Sequence, residues 1–509
     1  MQTEFFRLEI LTPVHIGTGD ELDPMNYLMR EEETGPACHV VNTNAWAADY
    51  PDPDELCSRF SGGSVPQMRK FLAESLNPDI YGVRRIAVTN NEIYREYLKK
   101  RDDQRTSNQL LLSPQMSSNG QSPIIPGSSL KGAMRTAVID WLDREQHLGL
   151  KNSLPEYNKK LERALGPITD NAFKHLKVSD VEGWCDSTVL VEALEIRRKQ
   201  DKSTTPKSKC EGLPSRVLGE GKAAILYGKF TLGIAGQKGE GRLILPGGKS
   251  WSWVDLCALT NAYLLPRLDA ELDKFYRQPH FAKAFPAVQA LRQELANAAD
   301  GQMYLRVGHY SQVEFVTVRN NQPFTRKGKD GKPLPHGTTR TLANGMFPFG
   351  WLRITPCSEN EYRQGVVERE EANRFAAESR LLRRAKIAQE KAQKLAEEEE
   401  SARQIKEATE AEARRLADEE NRRSAMSPFE RSILEVIEAD NDPGKSEGTK
   451  LFTALKQGKW QGDEARKIAE KIKEELVLAG KWKETSTKKN PAKDHDHQKT
   501  LEIIKYLRS

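Results

Sequence analysis

The sequence predicts an α+β fold with an all-α C-terminal part, and three observations lead to that fold class. Strand and helix signals alternate over the first 357 residues without a run of regular β–α–β units, which favours α+β over a doubly wound sheet. Residues 367–423 contain neither proline nor glycine, and about half of them are charged. Beyond Ser427, apolar residues return at helical spacing, which predicts a small helical domain.

Composition and charge exclude some classes of protein. The 509 residues include 78 Lys or Arg and 73 Asp or Glu, and the formal net charge of +5 gives no general argument for nucleic-acid binding. No apolar stretch approaches the roughly 18 residues that span a bilayer, and the N-terminal residues carry acids and no signal-peptide cleavage site. The six cysteines are scattered singly along the chain. We therefore expect a cytoplasmic protein without a membrane partner, a metal site or a cofactor.

The first 357 residues give local signals for individual strands and helices. Alternating apolar residues predict strands at Glu4–Leu11, His39–Val41, Thr188–Ile196, Ala223–Ile234, Tyr304–Val307, Val313–Val318 and Trp351–Ile354. Apolar residues three or four apart predict helices at Gln67–Ser75, Leu130–Glu145, Tyr157–Leu165 and Trp253–Ala298, the last broken near Pro266, Pro279 and Pro286. The blocks on either side of Asp180 each have the size of a domain.

The charge-rich stretch predicts a spacer helix over residues 358–427. Opposite charges three or four residues apart, such as Glu390 with Lys394, support a solvated helix. Its few apolar residues do not keep heptad spacing, so a coiled coil is the weaker interpretation, and we expect the helix to bury little against the preceding domains. Residues 428–509 then predict an independent helical module, in which Gly480 ends one of the helices.

One segment, PIIPGSSLKGAMRTAV at residues 123–138, runs from a turn directly into an amphipathic helix. Ser128 or Ser129 is available as its N-cap. Free N–H groups and the positive end of the helix dipole make such a terminus suitable for an anion. Lys131 and Arg135 are four residues apart and therefore share a face beside it. The segment lacks the G-x-x-x-x-G-K-[ST] pattern of a phosphate loop, and an ordinary capped helix with two surface cations is the alternative.

A second segment, TPVHIGTGD, follows the first predicted strand. Gly17 and Gly19 let the chain turn tightly or let another backbone approach closely. His15 could act as a catalytic base, but packing or hydrogen bonding inside the fold is the favoured role. His15, Gly17 and Gly19 are also candidate RNA-contacting residues. Asp20 and Asp23 are acids in the same loop, where solvation is their ordinary role.

Two further segments are rich in Lys and Arg and suit a phosphate backbone. Residues 197–209 follow a predicted strand directly and begin with Arg197, Arg198 and Lys199. Residues 319–340 are also basic and end at Arg340. Each segment alone is more often a solvated loop, but together with the helix start they predict a track for RNA.

The motifs T-P-V-H-I-G-T-G and I-I-P-G-S-S-L-K-G-A-M-R-T-A together resemble the RAMP superfamily of CRISPR effector proteins. The longer form V-H-I-G-T-G-D-E-L-D-P-M-N-Y, the V-S-D of residues 178–180, and the T-R-T-L and P-F-G-W of residues 339–351 narrow the resemblance. They are similar to the RAMP subunit that caps the crRNA 3′ end in type III-A (Csm) interference complexes. The resemblance covers residues 1–357 and implies two ferredoxin-like (RRM-like) halves, over residues 1–180 and 181–357.

The resemblance also implies partners and contact residues. It implies a subunit that binds crRNA and contacts the neighbouring backbone RAMP subunit and a small helical subunit, and it allows host nucleases that trim the crRNA as further partners. RAMP proteins often carry a glycine-rich loop near their C-terminal strands, and the matching stretch LRVGHYSQ keeps only Gly308. Arg306 is a candidate contact there, and His309 and Tyr310 could stack on a base.

Three classes of function compete at this point. The first is a non-catalytic, crRNA-capping subunit that supports crRNA maturation and antiviral defence, and it is the one we favour because no catalytic constellation is visible. The second is a RAMP endoribonuclease that cuts target or precursor RNA through a loop acid, Asp20 or Asp23. The third is a generic RNA-binding adaptor. The spacer helix and C-terminal module lie outside the resemblance and gain no function from it.

Overall fold

The computed structural model describes residues 3–508, apart from residues 102, 104–109, 151–153, 199–203, 220, 234–239, 319–336, 487 and 489. The strands in this part of the chain are β1 (Thr3–Ile10), β2 (Tyr27–Arg30), β3 (Ala37–Val41), β4 (Gly82–Val88), β5 (Leu112–Ser113), β6 (Ser117–Ser118), β7 (Ser122–Ile125), β8 (Leu176–Val178), β9 (Val181–Glu182), β10 (Val189–Arg197), β11 (Thr204–Gly212), β12 (Ile225–Leu232), β13 (Leu243–Ile244), β14 (Ser250–Trp251), β15 (Met303–Arg306), β16 (Thr339–Ala343), β17 (Phe347–Pro348) and β18 (Trp351–Cys357).

The helices follow the same chain order, with short 3-10 turns between some of them. They are α1 (Thr43–Ala48), α2 (Pro53–Gly62), α3 (Val65–Ser75), α4 (Pro78–Tyr81), α5 (Asn91–Arg101), α6 (Gly127–Glu145), α7 (Leu154–Leu165), α8 (Trp253–Glu271), α9 (Phe285–Ala296), α10 (Glu359–Ala425), α11 (Pro428–Ala439), α12 (Glu447–Lys456), α13 (Gly462–Leu478) and α14 (His495–Arg508). None of the helices in the described ranges is both long and apolar enough to cross a membrane.

Two mainly antiparallel sheets organise the first 357 residues. The first has the strand order β15-β18-β1-β12-β8, and its neighbouring strands are all antiparallel. The second has the order β17-β16-β10-β4-β3-β2, and β11 and β5 extend it from β10. Both sheets draw strands from each side of residue 180, so the predicted ranges 1–180 and 181–357 are intertwined in the fold. The predicted α+β class is confirmed.

The largest core lies between the first sheet and helices α6 and α8. Strand β1 shows why: Phe6, Leu8 and Ile10 alternate with exposed or half-buried residues, so one face of the strand is apolar. Helices α6 and α8 pack on each other and contact the strands β8 and β15 of this sheet. This packing fixes the start of α6 beside the edge strand β8, which is where the cations of the candidate site lie.

Two of the predicted element boundaries are wrong. The predicted strand Val313–Val318 is a 3-10 turn at Val313–Phe315, and Gln312 before it has a positive φ of 67°. Pro266 was expected to break a helix and lies inside α8 instead. The guanidinium of Arg267, the next residue, donates to the Tyr263 carbonyl at 2.9 Å.

The chain divides into two compact units, residues 1–389 and 390–509. The second unit holds residues 390–425 of α10 and helices α11 to α14, and these four helices enclose an apolar core of their own. Trp460 is buried there and its Nε1 donates to the Ser432 hydroxyl at 2.6 Å. The capping box of Ser427 and Glu430 starts α11 at Pro428, and Gly480 with φ of 67° follows the end of α13, as the sequence predicted.

The first part of α10 packs on the first unit, whereas the sequence predicted that this helix would bury little there. Gly365 lies against Tyr227 so closely that an added Cβ would be 2.1 Å from its ring. Asn373 accepts from the Cys185 N–H at 2.8 Å and donates to the Ser122 hydroxyl at 3.1 Å. Arg380 pairs with both oxygens of Asp186, at 2.8 and 2.9 Å. This part of α10 is therefore held mainly by polar contacts of single residues and not by a continuous apolar face.

This docking predicts a difference between two shortened chains. A chain that ends after Gln389 keeps every contact of the docked helix, and we expect its unfolding free energy for the first unit to match the full chain. A chain that ends after Cys357 loses them, and we expect it to be less stable by about 2–4 kcal/mol, since each net hydrogen bond contributes about 1 kcal/mol. Urea unfolding of both chains measures the difference, and equal midpoints would contradict the docking.

Candidate nucleic-acid interface

Helix α6 begins at Gly127, one residue before the predicted serine caps. The N-cap position is Pro126, and no side chain there caps the helix. The Gly127 N–H donates to Asp180 Oδ1 at 2.7 Å, so a carboxylate of the V-S-D motif already occupies the positive end of the helix dipole. One N–H group that the sequence left free at this terminus is therefore already bonded, and anion binding here stays a prediction. Ser128 is exposed and Ser129 is half-buried, and both lie at the surface beside the helix start.

Three cations gather on the adjoining surface. Lys131 and Arg135 project from the first turns of α6, and Lys177 lies on the edge strand β8. The pKa of Lys131 is lowered by its partial burial and then by the charges of Arg135 and Lys177. Within the part of the chain that the structure describes, none of the three pairs with a carboxylate. We call Lys131, Arg135 and Lys177 the basic cluster, and its uncompensated charge suits an anion such as a phosphate.

Hydrogen bonds through Gln115 join the loop after β1 to β7, the short strand that leads into α6. The Ile16 N–H donates to the side chain of buried Gln115, which in turn donates to the Ile124 carbonyl of β7. Gly17 forms an isolated β-bridge with Gln115. Because β7 runs through Pro126 directly into α6, this loop and the basic cluster are held on one continuous frame.

His15 is buried inside this frame, with 3% of its surface exposed. Its Nδ1 lies 2.6 Å from the Glu211 carbonyl oxygen, and its own carbonyl accepts from the His309 N–H at 2.9 Å. Gly308, with φ of 93°, is the residue that lets the second loop approach, since an added Cβ would be 2.5 Å from the His15 oxygen. His15 therefore has mainly the packing and hydrogen-bonding role inside the fold.

The neighbouring His309 and Tyr310 have different positions. His309 is exposed, and its ring stands edge-on to Tyr310 at a centroid distance of 4.6 Å. Tyr310 is buried against Phe349, its hydroxyl hydrogen-bonds to Ser208 at 2.7 Å, and burial raises its pKa to about 12. Base stacking, which was predicted for both rings, is open to His309 alone.

Arg306 and Arg340 lie in the interior, and we withdraw them as surface contacts to RNA. The guanidinium of Arg306 is fully buried and lies 3.0 Å from Glu271. Arg340 is also buried and pairs with Glu271 at 2.5 Å and with Glu314 at 2.9 Å. Two buried cations thus share one buried carboxylate, and such charges are occupied by their partners rather than available to a phosphate.

The two predicted basic segments are only partly described. Arg197 and Arg198 are exposed at the end of β10, and the Arg198 N–H donates to the Thr338 carbonyl at 3.1 Å. Lys199 and most of residues 319–340 lie outside the described residues. Lys209, in the same basic segment, lies on β11 and pairs with Glu96 of helix α5 at 2.6 Å. Residues 204–209 of this segment therefore belong to strand β11 and not to a loop.

The acids of the first loop do not form a metal site in the described ranges. Asp20 and Asp23 are exposed, and Asp23 Oδ1 accepts from the Met25 N–H at 2.8 Å, an ordinary turn contact. Among the described residues, no group of three His, Cys, Asp or Glu side chains could hold a metal ion.

Sequence reasoning missed Lys177 and the role of Asp180. Lys177 immediately precedes the V-S-D motif, so its position was a usable signal, but only the pairing of β8 with β12 brings it beside α6. Four of the predicted residues lie together at the start of α6: Ser128, Ser129, Lys131 and Arg135. Gly17 is half-buried, and Gly19 and His309 are exposed. Their contact with RNA stays a prediction.

Comparison with known proteins gives three likenesses. The "CRISPR system Cms protein Csm5" of Methanocaldococcus jannaschii is 28% identical over 193 residues, a match that covers 34% of this chain and 41% of that relative. The chain therefore spans less than half the length of this curated relative. A chain of the "Cryo-EM structure of Csm-crRNA-target RNA ternary complex in type III-A CRISPR-Cas system" has a TM-score of 0.49 and 18% identity, and covers 69% of this chain and 100% of its own.

A second solved structure, the "Crystal structure of T.onnurineus Csm5", has a TM-score of 0.37 and 16% identity, and covers 68% of this chain and 99% of its own. The sequence pattern that describes the RAMP superfamily matches residues 7–505, which is nearly the whole chain. The resemblance seen in the sequence motifs is confirmed: the chain belongs to the RAMP superfamily.

Proposed function

We propose that this chain is a non-catalytic subunit of a type III-A CRISPR ribonucleoprotein, where it binds crRNA, caps its 3′ end and supports crRNA maturation and antiviral defence. The observation that carries the proposal is the basic cluster. Lys131, Arg135 and Lys177 come together from a helix and an edge strand without a carboxylate partner in the described part of the chain. Like charges held together in a folded protein are costly, and a bound polyanion offsets that cost.

The surroundings of the cluster support RNA rather than a small anion. Asp180 already satisfies the helix N–H that would otherwise receive a single phosphate. The cations therefore contact charge spread along the surface, which is the form a nucleic-acid backbone presents. The glycine-containing loop after β1 lies on the same frame, and exposed His309 adds a ring on which a base can stack.

The identity of the complex is supported by the relative and by the motifs. The relative from Methanocaldococcus jannaschii is named Csm5, and the motifs of residues 1–357 resemble the RAMP subunit that caps the crRNA in Csm complexes. On this proposal the partners are the crRNA, the adjacent backbone RAMP subunit and the small helical subunit, with trimming nucleases of the host as transient partners. The site of action is the cytoplasm.

Capping is tested by sequencing guide RNA from complexes assembled with and without this chain. With the full chain present, we expect guide 3′ ends at a narrow set of positions. Without it, we expect ends that are shorter or more scattered, because the terminal nucleotides lose the surface that protects them. Identical 3′ ends in the two preparations would overturn the capping role while leaving RNA binding to be measured separately.

A second candidate function, RNA cleavage by a loop acid, is favoured only by the exposure of Asp20 and Asp23. Cleavage needs an attacking group, charge stabilisation and geometry together, and the contacts of these two acids are those of a turn.

We therefore expect the purified protein to cut neither guide nor target RNA, with or without divalent metal. Gel analysis of labelled RNA after long incubation measures this. Metal-dependent cutting that disappears in D20A or D23A, while T18A still cuts, would establish the enzyme instead.

A further inference from the structure

We propose that the Nε2 atom of His15 accepts a hydrogen bond from a ribose 2′-hydroxyl of the bound strand, so that this buried histidine makes the interface select RNA over DNA. The inference rests on the proposed function, because it assigns a role within the same RNA-binding surface. The His15 ring is held in one orientation by a hydrogen bond from Nδ1, and its other nitrogen, Nε2, has no partner among the described residues.

The hydrogen bond to Glu211 fixes the tautomer of the His15 ring. A carbonyl oxygen can only accept, so Nδ1, at 2.6 Å from it, carries the proton. In the neutral ring the other nitrogen, Nε2, then presents a lone pair and can only accept. Burial lowers the pKa of His15, an effect that the Glu211 contact opposes and His309 reinforces, and the ring is neutral at physiological pH.

Nε2 has no hydrogen-bond partner among the described residues. Nε2 is also not among the fully buried unpaired polar atoms of the described residues, so a ligand can reach it from the surface. The approach to this atom is kept open by Gly17: a Cβ added to Gly17 would be 3.2 Å from Nε2. Gly17 has no positive φ, so its backbone conformation does not require glycine. What glycine provides at this position is space beside Nε2.

The surrounding residues indicate which donor this acceptor meets. Gly17, Thr18 and Gly19 form a half-buried to exposed edge without bulky side chains, which suits the close approach of a sugar–phosphate backbone. The exposed ring of His309 stands edge-on to the His15 ring, at a centroid distance of 6.1 Å. Along a sugar–phosphate backbone the 2′-hydroxyl is the hydrogen-bond donor, and it is the group that distinguishes RNA from DNA.

The test uses full-length protein and a short single-stranded RNA of mixed sequence, with fluorescence anisotropy as the measurement. The comparison probes are DNA of the same sequence and a series of RNAs in which one 2′-hydroxyl at a time is replaced by hydrogen. We expect one position in the series at which this replacement weakens binding about 3- to 10-fold, the effect of a single hydrogen bond.

The variant G17A places a methyl group against Nε2 without changing the histidine. We expect it to weaken RNA binding by the same factor, to leave DNA binding unchanged and to make the sensitive position insensitive, since both changes remove one contact. The matched control is G221A, another glycine without a positive φ, whose added Cβ would meet nothing. It should bind RNA as the natural sequence does.

The remaining outcomes separate the two proposals. If the natural protein binds RNA and its deoxy analogues equally, or if G17A keeps the position-specific effect, the role of His15 is overturned and RNA binding stands. If G17A weakens RNA and DNA equally, the contact is not to a 2′-hydroxyl and the inference fails. If the natural protein binds no RNA at any salt concentration, the proposed function itself fails.

Discussion

Replacing Lys131 and Arg135 together by glutamate is expected to lower RNA affinity by about 30- to 100-fold at physiological salt and to exclude the subunit from the guide–protein complex. Each cation that neutralises a phosphate contributes about 0.9 to the slope of log affinity against log salt, so the slope should fall by about 1.8 in the double variant. Lys177 would remain as the last member of the basic cluster, and two new carboxylates beside it would repel the backbone.

The matched control reverses two charges with the same spacing on the next helix. Lys159 and Arg163 of α7 are exposed and four residues apart, so K159E/R163E makes the same change in net charge. We expect this variant to lose little affinity and to keep the salt dependence of the natural protein. Equal losses in the two double variants would mean that total charge, rather than the basic cluster, determines binding.

Replacing Glu271 by glutamine is expected to give the largest loss of stability, about 3–5 kcal/mol in the free energy of unfolding. The substitution leaves two buried guanidinium groups, those of Arg306 and Arg340, without their shared carboxylate, and an uncompensated buried charge is strongly destabilising. Glu314 still pairs with Arg340, so Arg306 carries most of the cost. Urea unfolding of the full chain measures the change.

The control for this variant lies two residues away. Asp273 pairs with Arg277 at the surface, where both side chains are about two-thirds exposed, and D273N should change stability by about 0–1 kcal/mol. The same comparison separates interior arginines from RNA contacts. If E271Q costs no more than D273N, the buried network does not hold the two arginines, and their predicted contact with RNA would have to be reconsidered.

Elements with local signals were predictable from the sequence. The period of β1, the amphipathic face of α6 and the uninterrupted composition of α10 each lie within one continuous segment. Strands such as β2 and β16 have only four or five residues, too few to show a period, and were missed. Their existence depends on pairing with distant strands, as β4 pairs with β10, and no single segment contains that information.

The same distinction between local and distant information applies to the candidate site. Lys131 and Arg135 share a helix face by their spacing alone, whereas Lys177 reaches them only through sheet pairing. Arg306 and Arg340 were misassigned because basic residues near a loop resemble surface cations until their partner, Glu271 of helix α8, is known. The docking of α10 was missed because it depends on single residues, such as Asn373, and not on a stripe.

The most direct measurement is crosslinking of the full-length tagged chain to RNA inside cells, followed by identification of both the crosslinked residues and the RNA positions. If the chain caps a guide, the RNA is crRNA, the RNA positions lie at its 3′ end, and the crosslinked peptides come from the start of α6, β8 and the loop containing Gly17. RNA recovered from other parts of the guide, crosslinks confined to α7, or a chain isolated without crRNA would contradict the proposed function.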